Sequence, residues 1–289
     1  MNARLPLLSL AAALAATAAF AQFGGLDLGK LTKAVDTAKA SGKLLKGAVG
    51  IGPVEERKIG EATAVEIIGR YGGLVRDDDI MRRVNLLGRS LARYSSRPNL
   101  EWNFAVLNSD TVNAFSTPGG LVFITRGLYA QAGSDDALAG ALGHEIAHIT
   151  NRDALKIVQR GDTTAGARDL LLQNSAQARA VDSTVSQVGS LLGFDVLGLV
   201  KKIVDSGFDA PTEFTADKDG RGLAIQTGYA PGGLRAVLTG LQAKGENRKT
   251  VFATHPPLAD RLKRLPNDPL PPAAPVVAEA KEQPAAETK

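Results

Sequence analysis

A predominantly helical α+β fold with a small β-sheet is predicted by three features of this 289-residue chain. Apolar residues recur at three- and four-residue spacing through most of it. Only two short runs, NFAVL at residues 103–107 and LVFIT at 121–125, are β-prone. The stretch GHEIAHIT, residues 143–150, carries two of the three histidines four residues apart and falls inside one of the helical patterns.

The chain opens with MNARLPLLSLAAALAATAAFA, a short start carrying Arg4, an apolar run, and Ala19 and Ala21 around Phe20. This is the layout of a cleavable secretory signal over residues 1–21, which places the mature chain in an exported compartment. Residues 22–54 follow as a flexible or loosely amphipathic leader, its helix potential weakened by glycine. Helices are expected over 55–71 and 77–94, the second with Ile80, Val84, Leu87 and Leu91 on one side. The two β-prone runs then pair, in the simplest reading, as antiparallel strands joined through NSDTVNAFSTPGG, where Pro118, Gly119 and Gly120 provide the turn.

A helical pattern begins at Gly127 and breaks at Gly133. Ser134 caps the next helix, with Asp135 and Asp136 in its first turn, and that helix is expected to run through Ala154. Residues 155–209 read as interrupted helix, either ordinary core helix, the favoured reading, or a mobile lid or substrate-facing subdomain; Asp195 and the lysines of LLGFDVLGLVKKIV argue against a membrane span. Pro211 opens a further helix carrying TEFTADKDGRGLAIQ, and another runs from Pro231 to Ala243. The domain proper is thus 55–265, and the Pro/Ala/Glu-rich tail 266–289 should be disordered.

Composition narrows the chemistry. There is no cysteine, which excludes disulfides, thiolate metal sites and a catalytic thiol. A net charge of +4 without a dense basic, aromatic-interleaved patch argues against nucleic acid as a partner.

Any metal must therefore be held by histidine and carboxylate. At 100° per residue, His144 and His148 lie about 40° apart on one helical face and can point at one ion, with Glu145 at the edge of that face. Zinc so bound lowers the pKa of its water towards 7, and Glu145 is placed to take the proton. A third protein ligand is required, and Glu213 is the best candidate. Asp217, one turn on, can accept from a ligand imidazole and fix its tautomer. His255, in ATHPPLADRLKR, is either an electrophile steadying an oxyanion or an extra metal ligand that closes the site at rest. Arg261 can anchor that segment to a carboxylate or contact substrate.

Taken in order, VNAFSTPGGLVFITRGL, LAGALGHEIAHITNRDAL, EFTAD and ATHPPLADRLKRL resemble the successive motifs of metallopeptidase family forty-eight, the gluzincins that include HtpX and the CAAX prenyl proteases. The resemblance spans about residues 60–265. It implies a zincin-like domain with an HExxH active-site helix and one zinc per chain. His144, His148 and Glu213 would be ligands, Glu145 catalytic, Asp217 supporting, and His255 near the metal. It implies too that the strand holding Asn113, Ala114 and Phe115 lines the cleft and pairs with an extended substrate backbone.

The family often carries an arginine three residues before the ligand glutamate and an acid two after it, where this chain has Ala210 and Thr215. Transmembrane segments of the HtpX type are not recognisable, so the soluble periplasmic branch is the nearer match. The expected function is a periplasmic zinc endopeptidase acting on unfolded or misassembled envelope proteins, with peripheral contact at the outer membrane or its assembly machinery. The oligomeric state is not specified. A zinc-bound chaperone or assembly factor with a normally closed site, and a metal-free helical scaffold, stay open as other readings.

Overall fold

The computed structural model describes residues 51–160, 196–243 and 257–272. The expected signal, nearly all of the leader, most of the 155–209 stretch, His255 and the tail from residue 273 lie outside the described residues. Among those described, no helix is long and apolar enough to cross a membrane.

Helix α1 (Pro53–Arg70) starts with proline in its first turn, followed by Glu55 and Glu56, and ends on Arg70, so its charges complement the helix dipole. Helix α2 (Asp78–Arg93) is capped by the Asp77 carboxylate, which accepts from the amides of Asp79 and Ile80. Strands β1 (Asn103–Leu107), β2 (Ala114–Thr117) and β3 (Leu121–Thr125) form one sheet in the order β1-β3-β2.

The sheet corrects the expectation of two antiparallel strands. Residues within the supposed connection form β2, and the Pro118-Gly119-Gly120 turn serves the antiparallel β2–β3 hairpin, in which Thr117 faces Leu121. β1 lies on the other side of β3 and runs parallel to it, Asn103 facing Leu121. The central positions of all three strands are buried on both faces, so the alternation that marks a half-exposed strand is absent.

Helices α3 (Arg126–Ala132) and α4 (Asp135–Thr150) follow, separated by Gly133 at φ 67° and by Ser134, whose hydroxyl accepts from the Ala137 amide as expected. Helix α4 ends at Thr150, four residues sooner than the sequence suggests. Arg97 binds the carbonyl of Ile149 at 3.0 Å, and Arg152 takes φ 59°, its guanidinium donating to the Ile51 carbonyl. The chain thereby turns a corner into α5 (Asp153–Arg160). Helix α6 (Val196–Lys201) continues into a π-helical turn, Lys202–Ser206. Helix α7 (Ala210–Thr227) has Pro211 in its first turn and Asp209 as cap; α8 (Gly233–Ala243) and α9 (Leu258–Arg264) complete the described elements.

Helix α4 is central, with thirteen of its residues buried between the sheet, α2, α7 and α8. Its crossing with α7 is glycine on glycine. A methyl on Gly143 would lie 2.7 Å from the Gly220 carbonyl oxygen, and one on Gly220 would lie 2.5 Å from the His144 amide nitrogen. Only glycine allows backbones to approach so closely. The far end of α4 is fixed by the buried Glu56 of α1, which accepts two bonds from Arg97, at 2.7 and 2.8 Å, and one from the Gly119 amide at 3.2 Å. Beyond Leu265 the chain stays attached for a few residues, because Arg221 grips Asp268 through two bonds of 2.6 and 2.8 Å.

Candidate active site

His144, Glu145 and His148 project from the middle of α4, and Glu213 and Asp217 from the first two turns of α7. The glycine crossing sets the two helices close enough for these side chains to meet. The Nε2 atoms of His144 and His148 are 3.1 Å apart. Glu213 places Oε2 3.4 Å from the first and Oε1 3.6 Å from the second. All three side chains are buried, and they form the one cluster of potential metal donors among the described residues.

What lies behind each imidazole decides which atom faces inward. Nδ1 of His144 is 2.9 Å from Asp217 Oδ1, and Nδ1 of His148 is 2.9 Å from Asp153 Oδ2. Each carboxylate accepts from a protonated Nδ1, which assigns the hydrogen to that nitrogen and leaves the Nε2 lone pair for the centre. Two lone pairs and a carboxylate turned on one point repel each other unless a cation lies between them. With no cation at that point, a proton on His144 relieves the same repulsion. Burial and the nearby Arg261 charge disfavour a proton on His144, yet hydrogen bonds to Asp217 and Glu213 outweigh them and raise its pKa to about 9. A nitrogen and oxygen donor set of this kind, with both second nitrogens already committed, fits a tetrahedral divalent metal with a position left for water.

Glu145 is 2 % exposed, and its Oε1 has no hydrogen-bond partner among the described residues. It lines a cavity shared with His148, Ala114, Phe115, Ser116 and Phe208. Ala114 and Phe115 thus border the same cavity as Glu145. Asn113 is turned into the strand ladder instead: its amide donates to the Thr125 hydroxyl and its side-chain oxygen accepts from the Ala114 amide.

Asp217 is held far below the usual carboxylate range: burial pushes its pKa up, but the charge of Arg261 and bonds from His144 and Arg261 prevail. Arg261 donates to both oxygens of Asp217, with the Nε bond at 3.0 Å, and is fully buried. These bonds tie α9 to α7 behind the imidazole of His144.

Sequence reasoning missed Asp153 and Phe208. Asp153 stands five residues after His148, just past the end of α4, and the Asn-Arg-Asp signature there was the available signal. Phe208 stacks on His148, ring centroids 4.5 Å apart and planes at 27°; the sequence contains no local cue for that contact.

Known proteins resemble this chain over the stretch that holds the constellation. The chain is 25% identical over 235 residues to the "Beta-barrel assembly-enhancing protease" of Escherichia coli (strain K12), a match covering 78% of this chain and 46% of that protein. It is 28% identical over 224 residues to the "Protease HtpX homolog" of Leptothrix cholodnii (strain ATCC 51168 / LMG 8142 / SP-6), covering 67% of this chain and 75% of the relative. It is 30% identical over 164 residues to "Metalloprotease LoiP" of Escherichia coli (strain K12), covering 56% and 61%. The chain thus spans about half the length of the first of these relatives, three quarters of the second and about three fifths of the third. The profile described as Peptidase family M48 matches residues 80–268, a span that includes all three donors, Glu145, Asp153, Asp217 and Arg261. With its HExxH helix crossing a second, glutamate-bearing helix, and with that match over more than half its length, the chain belongs to peptidase family M48.

Proposed function

We propose that the protein is a zinc-dependent endopeptidase of the bacterial cell envelope that cleaves misfolded or misassembled envelope proteins. The observation that carries this reading is the meeting of His144 Nε2, His148 Nε2 and a Glu213 carboxylate beside Glu145, whose Oε1 has no hydrogen-bond partner among the described residues. When bound, zinc would supply Lewis acidity that brings a water's pKa towards 7.

The rest is the work of the chain. His144, His148 and Glu213 would hold the metal. Asp217 and Asp153 would keep the two imidazoles in the tautomer that presents Nε2. Glu145 would take a proton at Oε1 and deliver it to the leaving amine. Strand β2 is an edge strand next to this cavity, and an extended peptide laid along Ala114–Thr117 would be aligned by main-chain hydrogen bonds that read no particular sequence. Such backbone reading suits unfolded substrates. His255 keeps its two roles, transition-state contact or resting-state ligand. Zinc content and cleavage by His255→Ala decide between them: full zinc with lower activity favours the first, higher activity the second.

The signal-like residues 1–21 support export to the periplasm, and the relative named for β-barrel assembly supports outer-membrane protein assembly as the setting. A second reading, an assembly factor with a normally shut site, is favoured by the burial of every donor and of Glu145. Digestion of casein by zinc-loaded wild type and Glu145→Gln tests the peptidase reading. Cleavage is expected to fall at least about a hundredfold in the variant with zinc retained. Equal cleavage by both proteins rejects Glu145 as the base, and no cleavage by either favours the assembly factor.

A further inference from the structure

Phe208 stands at the centre of the cleft without belonging to the metal site. One of the two cavities beside it contains Glu145 and Ala114; the other runs past Pro118, Ala154 and Leu155. Ser116, His148 and Phe208 line both. Phe208 thus borders both cavities, next to Ser116 of β2 and stacked on His148. Among the described residues β2 is an edge strand, yet every residue from Ala114 to Thr117 is buried. An edge so covered offers no pairing until something withdraws.

The segment bearing Phe208 is built to withdraw. It begins with the π-helical turn Lys202–Ser206, an irregularity that concentrates at functional sites, and ends at Gly207 with φ 68°. Asp209, as the cap of α7, fixes the far side of the hinge. The side chain of Ile203 is buried, whereas Asp205 and Ser206 are exposed, and Asp205 meets Arg70 of α1 at 3.5 Å. That pair is a partly exposed tether of the kind that holds weakly.

We propose that Phe208 occupies the subsite that takes a large apolar side chain of the substrate next to the cleaved bond, and that release of the Lys202–Phe208 segment vacates it. The inference rests on the peptidase reading above. A substrate strand pairing with β2 projects alternate side chains to one face, and the position beside His148 is the one the Phe208 ring now fills. Large apolar residues, abundant in unfolded protein and hidden in folded protein, would then compete with Phe208 for the same place.

The test uses zinc-loaded full-length protein: wild type, Phe208→Ala, Phe208→Leu and Asp205→Ala. The first readout is the rate of zinc loss to excess chelator, without substrate. The second is kcat/KM on quenched fluorescent peptides differing only in Phe or Ala beside the cleaved bond. Phe208→Ala is expected to lose zinc about three- to tenfold faster, the factor an aromatic contact contributes to a closed-to-open equilibrium. Asp205→Ala should lose it about twofold faster, and Phe208→Leu close to the wild-type rate. The Phe peptide should be the better substrate of the wild type, and Phe208→Ala should raise its kcat/KM by a similar three- to tenfold. Unchanged zinc loss in Phe208→Ala overturns the covering role. Faster zinc loss with lower kcat/KM makes the ring a wall of the subsite rather than its occupant, and equal cleavage of both peptides by wild type rejects the apolar subsite. Faster zinc loss with no cleavage by any protein overturns the peptidase reading, and the subsite with it, while leaving the cover in place.

Discussion

The two halves of the metal cradle do the same job by different construction. Behind His144, Asp217 comes from α7 and is itself neutralised by Arg261 from α9, all three buried. Behind His148, Asp153 comes from the next turn of chain and is met by Lys156, whose side chain is 51 % exposed. The first arrangement is assembled from distant segments with every member buried; the second is local, its buried carboxylate reached by a half-exposed lysine. One therefore ties the domain together while it aims a nitrogen, and the other only aims.

The largest effect should come from breaking the buried half. Arg261→Met leaves the Asp217 carboxylate without its bidentate partner, and loss of one member of a buried ion pair typically costs about 3–5 kcal/mol. Urea unfolding measures this; a loss below about 1 kcal/mol would mean the pair contributes little to the fold. Next, Asp153→Asn should weaken zinc binding by about 10- to 100-fold while changing the stability of the metal-free protein by less than about 1 kcal/mol. Asp217→Asn should weaken zinc binding by a similar factor but also destabilise the metal-free protein by about 1–3 kcal/mol, because Arg261 is left buried. Competition with a chelator for the first quantity and thermal melting for the second separate the halves; matching melting losses would erase the distinction. Lys156→Ala should be the smallest perturbation, within about 1 kcal/mol in stability, as for other half-exposed pairs.

How much of this was legible follows the same division. Spacing alone gave the facing histidines and the Glu213–Asp217 pair, because a helix repeats regularly and each pair lies one turn apart. The caps at Ser134 and the first-turn Pro211 were likewise local signals. Asp153 escaped because it depends on α4 stopping at Thr150, and that stop is imposed by Arg97 and by the contacts of Arg152 with Ile51 and Glu56, from parts of the chain far away. The parallel register of β1 and β3 escaped for the same reason: a turn sequence announces a hairpin, but no local signal says which strand joins the hairpin's other side. Arg261 carried two readings, because nothing local to its segment tells that it meets Asp217, 44 residues away.

The contact of Gly143 with Gly220 has a consequence for anyone who would redesign this protein. Where ligand-bearing helices are spaced by interleaved side chains, each core substitution can retune the distance between donors. Here the spacing is a hard stop, one main chain resting on another, so most apolar core positions should accept changes of shape without disturbing the donors. The tolerance for error is instead concentrated at two positions with no side chain at all. A library that randomised the core and left those glycines alone would be expected to keep its metal, whereas one added methyl at Gly220, aimed at the His144 amide, would lever the cradle open.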